Sequence, residues 1–177
     1  MTDEKDMLTL VDSEDNPIGV ATREECHTGK GKMHRALSIF VFNSKGEILL
    51  QKRSKEKQLW PSFWTNTCCT HSKNGESVEE VAHRRLEEEM GFDCGLKEIF
   101  SFEYRAKYEN VGSENEFDHV LFGKYDGHVF ANPKEVEEWK WVDVKKLRDD
   151  LEKNPQDYTP WFKIALKKLD KVERWMK

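Results

Sequence analysis

The sequence predicts an α+β or α/β sandwich folded as one domain. Strand-like segments outnumber helical ones, and the helical ones are few. The chain has 177 residues, with no internal repeat and no low-complexity linker, which is enough for one core.

The elements follow in order. "MLTLV" and "PIGVAT", separated by "DSEDN", read as a hairpin. Residues 22–34 are polar and carry glycine, so a loop is expected there. "HRALSIFVFN", the turn "SKG" and "EILLQKR" form a second, more buried hairpin. "RSKEKQLWPSFW" is a basic loop broken by proline. Residues 77–90 are helical, with Gly91 as the stop. "GLKEIFSFEYRAKY" and "EFDHVLFGKY" are strands joined by the polar "ENVGSEN". "EVEEWKWVDV" is a strand before a short helix. A terminal helix opens at "YTPWFKIALKKL", with Thr159 at the N-cap and Pro160 in the first turn. The domain is expected to span 1–177, its first hairpin and last helix being additions to the core.

Composition excludes several function classes. Net charge is −5 with 36% charged residues, so there is no basic excess for nucleic acid. The acidic, polar "MTDEKDMLTL" is unlike a signal peptide, and no apolar run reaches membrane-span length. A cytoplasmic protein is expected. Its four cysteines, Cys26, Cys68, Cys69 and Cys94, are then reduced, and no C-x-x-C motif is present.

Three stretches carry chemistry. In "TNTCCTHS", strand alternation puts Thr65, Thr67, Cys69 and His71 on one face and Asn66, Cys68 and Thr70 on the other. Cys69 is therefore the thiol that shares an environment with a histidine, although two small buried thiols would be the simpler account of this stretch alone. In "SENEFDH", Glu114 and Glu116 share a face with Asp118. In "HTGKGKMH", His27 and His34 flank a flexible basic loop. Together these supply three imidazoles and two carboxylates, a set suited to Zn²⁺, Mn²⁺ or Mg²⁺. His83, His119 and His128 are read as structural or surface residues. On "SVEEVAHRRLEEEM", Val78, Ala82 and Leu86 form the apolar face with Val81 at its edge. Arg85 and Glu89 fall within that face as i, i+4 neighbours, and Glu80, Arg84 and Glu87 point outward. Charges in an apolar stripe imply pairing or a ligand.

This helix and its preceding loop resemble the Nudix box, G-x5-E-x7-R-E-U-x-E-E-x-G-U, U being a bulky apolar residue. Glu76, Arg84, Leu86, Glu88, Glu89, Gly91 and Phe92 fall on it. Thr70 replaces the first glycine, and Arg85 replaces the glutamate after the arginine, where Nudix hydrolases commonly hold metal. "WTNTCCTHS", "YRA" and "ENE", with His27 and His34 upstream, resemble the type I isopentenyl diphosphate isomerases over roughly residues 7–165. The resemblance implies a Nudix-like α/β/α sandwich with a mixed central sheet. It also implies a divalent metal on His27, His34, His71, Glu114 and Glu116, and a Mg²⁺ at the substrate diphosphate near Glu89. It implies Cys69, Glu116 and Tyr104 as catalytic residues and Trp161 as the aromatic over the substrate. Arg53, Lys57 and Arg85 carry over as diphosphate cations, and Arg23 stands where the family often has lysine.

The implied reaction is flavin-independent. It interconverts isopentenyl and dimethylallyl diphosphate for isoprenoid biosynthesis, on a small-molecule substrate, in a monomer or weak homodimer. The chemistry asks for one group that gives a proton and one that takes it, because the alkene is a poor base and protonation yields a tertiary carbocation. Two other readings are a Nudix pyrophosphohydrolase acting on a nucleotide or other diphosphate, and a metal or redox sensor built on "CCTH".

Overall fold

A computed structural model describes residues 7–169; the two ends of the expected 1–177 span lie outside the described residues. The first hairpin is β1 (Met7–Val11) and β2 (Pro17–Thr22). Its turn is closed by the Asp12 carboxylate, which accepts from the backbone N–H groups of Glu14 and Asn16. The 22–34 loop is broken by a helix, α1 (Arg23–His27). Five residues are too few for an apolar period to show. Thr22 and Glu25 nevertheless form a capping box, each side chain satisfying the other's backbone N–H.

The second hairpin is β3 (His34–Phe42) and β4 (Glu47–Arg53). "TNTCCTHS" forms two short strands, β5 (Trp64–Thr65) and β6 (Cys68–His71), rather than one. Helix α2 (Val78–Met90) is boxed by Ser77 and Glu80 and ends at Gly91, with φ +73°. A Cβ at Gly91 would stand 2.4 Å from the Phe130 carbonyl oxygen, so glycine serves both conformation and packing there.

Strands β7 (Leu96–Tyr108) and β8 (Gly112–Lys124) pair antiparallel along their length. The polar "GSEN" belongs to β8 and not to the connection, because Ser113 and Glu114 are buried. After β9 (Val136–Asp143) come α3 (Val144–Lys153), one 3-10 turn at Pro155–Asp157, and α4 (Pro160–Leu169). Thr159 precedes α4 as expected. Its hydroxyl hydrogen-bonds Thr65 Oγ1 at 2.9 Å and its N–H donates to Trp64, tying the helix start to β5.

The nine described strands form one mixed sheet in which β3 and β8 run parallel and the other ladders antiparallel. Alternation along β3 builds two cores. Leu37, Ile39 and Val41 face α2, where they meet Val81, Ala82, Leu86 and Met90. Phe40 faces α3 and α4, packing with Ile48, Leu50, Leu147 and Phe162. This is the expected α/β/α order, with helices on both faces. Val78 is only partly buried, and the buried side of α2 includes Glu89.

The sheet splits where the site forms. β3 and β4 pair only at Phe42 and Ile48 and then part. β5 pairs with β4 and β6 pairs with β3, so the chain from Thr65 to Cys68 crosses the gap between them. Thr67 bridges it: its hydroxyl donates to Leu49 on β4 and accepts from the N–H of Val41 on β3.

Candidate active site

One cavity of about 430 Å³ collects most of the residues singled out in the sequence. Arg23, His27, Arg53, Lys57, Cys69, His71, Arg85, Tyr104, Glu114, Glu116 and Trp161 line it. His34 and Glu89 are almost wholly buried and stand behind its wall.

His27 ends α1, His34 starts β3, His71 ends β6, and Glu114 and Glu116 lie two apart on β8, so their side chains share a face. Their ligand atoms all lie within 4.8 Å of one another. Gly112 makes this approach possible, since a Cβ there would lie 2.5 Å from the His27 carbonyl oxygen. His27 Nδ1 faces the Arg23 carbonyl at 2.6 Å and His34 Nδ1 faces that of Lys32 at 2.8 Å, which aims both Nε2 atoms inward. His27 Nε2 is 3.0 Å from Glu114 Oε2, and His71 Nε2 is 2.8 Å from Glu116 Oε1. His34 Nε2 is buried without a hydrogen-bond partner, 3.9 Å from Glu114 Oε2 and 3.6 Å from Glu116 Oε1. A buried imidazole nitrogen left orphaned beside two carboxylates, with five ligand atoms converging, is what a divalent cation satisfies, so the five residues fit one.

Burial raises the carboxyl of Glu114, helped by Glu116 beside it. Burial also acts on Glu116, but the His34 and His71 imidazoles outweigh it and hold that carboxyl well below its usual range. Glu116 is therefore ionised. Tyr104 donates its hydroxyl to Glu116 Oε2, and burial together with that charge pushes the phenol well above its ordinary value, so it keeps its proton.

Cys69 and His71 do share a face, and Cys68 lies in the opposite core against α2. The alternation fails at Asn66, placed in sequence on the side away from Cys69. The break between β5 and β6 turns it back, so that Asn66 Oδ1 accepts from the Cys69 thiol at 3.1 Å and from Thr65 Oγ1 at 2.9 Å. Asn66 Nδ2 donates to the carbonyls of Ile39 and Cys68, which fixes the amide's orientation. On its other side the sulfur accepts from the Trp161 indole N–H at 3.1 Å. Burial pushes the Cys69 thiol up to about 12, so it too is protonated.

The cations lie toward the mouth. Arg53 donates to the carbonyls of Leu59 and Trp60 and sits 5.2 Å from the Trp161 ring centroid. Trp60 holds φ +47°, a conformation bulky residues rarely adopt, and it carries one of those carbonyls. Arg85 reaches Glu88 at 2.7 Å and Glu89 at 2.5 Å. Gln51 donates to the far oxygen of Glu89 at 3.0 Å. Arg23 faces His71 Nδ1 at 3.2 Å. Arg84, expected to point outward, binds Glu76 at 2.7 Å and edges the cavity. Asp118 accepts from Ser38 at 2.8 Å on the site's face, buried and raised well above its usual value by that burial. His83 pairs with Asp93, and His119 lies between Asp15 and Glu98. His128 is exposed.

Asn66, Gln51 and Glu135 escaped the sequence reading. Gln51 and Glu135 act through distant partners, Glu89 and Lys57, while Asn66 reaches Cys69, three residues on, only because the chain breaks between β5 and β6; no local period marks any of them.

Residues 32–162 match the family model of the NUDIX domain. A protein of Photorhabdus laumondii, named isopentenyl-diphosphate Delta-isomerase 2, is 47% identical over 97% of this chain and 98% of its own. The isopentenyl-diphosphate Delta-isomerase of Serratia proteamaculans is 42% identical over 96% of each chain. Among solved structures, the MutT protein of Methanosarcina mazei superposes with a TM-score of 0.67 at 19% identity, covering 80% of this chain and 95% of its own, which is a likeness of fold. With its split mixed sheet, its helix-borne Arg84–Glu88–Glu89 motif and its His/Glu cluster, the chain belongs to the NUDIX domain family, in the isopentenyl-diphosphate delta-isomerase branch.

Proposed function

We propose that the chain interconverts isopentenyl diphosphate and dimethylallyl diphosphate in isoprenoid biosynthesis, by adding a proton at C4 and removing one at C2. The observation that carries this reading is the lining of one cavity by a thiol and a carboxylate, Cys69 held between Asn66 and the Trp161 indole N–H, and Glu116 held between His71 and Tyr104. One group holds a proton at Sγ and the other is a carboxylate that His71 and Tyr104 hold in place at its two oxygens, a proton donor and a proton acceptor such as a double-bond shift requires. Tyr104, donating to Glu116, supplies or receives a proton at that carboxylate.

The cation formed between the two transfers needs stabilising without a nucleophile that would trap it. Trp161 offers an aromatic face in the cavity wall, and a cation–π contact is worth about 2 kcal/mol or more when desolvated. Its indole N–H also occupies the sulfur of Cys69, which turns the thiol's lone pairs away from an electrophile. Arg23, Arg53, Lys57 and Arg85 hold the diphosphate, so that the allylic product keeps its leaving group.

His27, His34, His71, Glu114 and Glu116 would hold a divalent ion, Zn²⁺, Mn²⁺ or Mg²⁺, which would supply a fixed orientation for Glu116 and tune its basicity. Glu89 would hold a Mg²⁺ carried by the diphosphate.

The test is incubation with isopentenyl diphosphate in D₂O with NMR detection. Deuterium-bearing dimethylallyl diphosphate is expected. Release of phosphate or pyrophosphate without isomer would replace this reading with hydrolysis.

A further inference from the structure

Glu135 stands just before β9, and its backbone is pinned: its carbonyl accepts from the Ser54 N–H at 3.0 Å and its own N–H donates to the Asn132 carbonyl at 2.9 Å. Its carboxylate reaches two cations at once. It forms an ion pair with Lys57, and its other oxygen lies 3.4 Å from Arg85 Nη2. Burial acts to raise this carboxyl, but Lys57 and Arg85 outweigh it, and it is ionised.

The local charges are unbalanced. Lys57 and Arg85 face Glu88, Glu89 and Glu135, so a diphosphate meets cations that already hold carboxylates. One of those carboxylates has to yield. Glu89 is buried and tied to Gln51 as well as to Arg85. Glu88 serves Arg84 and Arg85, neither of them Lys57. Glu135 alone of the three is shared by Lys57 and Arg85, and it is partly exposed at 24%. Displaced, it would stand beside Glu89, Glu88 and the incoming phosphates, with the nearby Arg84 already held by Glu76 and Glu88, which is costly unless a cation comes with the ligand.

Building on the assignment of Lys57 and Arg85 to the diphosphate, we propose that Glu135 is an exchangeable counter-ion: it holds these two cations in the free protein, yields them to the diphosphate, and so makes diphosphate binding conditional on a divalent cation. Binding of the two ligands is then coupled, and each tightens the other by the same factor.

Titration calorimetry with pyrophosphate as the probe tests this, with and without Mg²⁺, on the parent and on Glu135→Gln, both loaded alike at the His/Glu site. Glutamine keeps the shape and one acceptor oxygen for Lys57, so the backbone anchors and the side chain's place are retained. Association of Mg²⁺ with pyrophosphate in solution is common to both proteins, and the difference between them is the readout. Mg²⁺ is expected to tighten pyrophosphate binding about tenfold more in the parent than in Glu135→Gln. Without Mg²⁺ the variant is expected to bind pyrophosphate more tightly than the parent. An equal effect of Mg²⁺ on both proteins, or weaker Mg²⁺-free binding by the variant, overturns the proposal. Absence of pyrophosphate binding by the parent in either condition would instead overturn the assignment of Lys57 and Arg85 on which it rests.

Discussion

Cys68 and Cys69 are chemically identical neighbours whose surroundings make them different. Cys69 shares the cavity with Trp161 and donates a hydrogen bond to Asn66 Oδ1, whereas Cys68 fills the core under α2. Cys69→Ala should remove one proton-transfer group and lower the rate by about 10²–10⁴-fold. Cys68→Ala should leave turnover near the parent's and cost on the order of 1 kcal/mol through a small cavity. Turnover assays and thermal melts on both variants check this, and loss of activity confined to Cys68→Ala would reverse the assignment. The sequence could set the two thiols apart by alternation alone, because adjacent residues of a strand face opposite ways. It could not show that Asn66 orients the thiol, since the turn that brings it back depends on β5 and β6 pairing with different strands.

At the level of elements, the metal-binding cluster depends on how closely α1 approaches β8. Gly112 sets that approach, with the His27 carbonyl oxygen 2.5 Å from where a Cβ would be. Gly112→Ala should push α1 outward and draw His27 away from Glu114. Metal affinity should then fall about 10–100-fold, as when a ligand's supporting group is lost, and a competition titration against a chelator would measure it. Unchanged affinity would mean that α1 has slack the structure does not suggest.

The connection from α3 to α4 is tied back to α3 at Asp150. Tyr158 donates its hydroxyl to Asp150 at 2.5 Å, and Asn154 adds 2.8 Å on the other oxygen. These bonds hold the Asp150 carboxyl below its usual range. A carboxyl lowered in the folded state contributes stability above its unfolded pKa, about 4, and loses it as pH falls through the folded value. Tyr158→Phe should therefore cost about 1 kcal/mol near neutrality, less what solvent screening removes. The gap in Tm between variant and parent should close below about pH 4. A gap that stays constant down to pH 3 would assign the loss to packing against Phe162 instead.

For the molecule as a whole, five buried or half-buried ligands drawn from α1, β3, β6 and β8 make metal binding part of the folding free energy. At a free metal concentration a hundredfold above Kd the gain is about 2.7 kcal/mol. Chelation should then lower Tm by roughly 5–10 °C for a domain of this size. Calorimetric scans with and without chelator would show it, and coincident melts would mean that the cluster binds metal too weakly to matter to the fold.

The sequence by itself determined most of the order of strands and helices, α1 and the break in "TNTCCTHS" apart, and the glycine-stopped α2; the sandwich with helices on both faces came from resemblance, and the histidines, carboxylates, thiol, tryptophan and cations that the structure gathers at or behind one cavity were named from local pattern and resemblance. These are legible because periodicity, capping and motif spacing are written over short stretches of chain. Only the tertiary structure decided that β3 and β4 part to admit β5 and β6, that "GSEN" is strand because its carboxylates turn inward, and that Asn66, Gln51 and Glu135 each hold a functional side chain. Gln51 with Glu89 and Lys57 with Glu135 join residues far apart in sequence, Asn66 meets Cys69 only because β5 and β6 pair with different strands, and the energy of all three depends on a desolvated geometry that exists only after the sheet has closed around it.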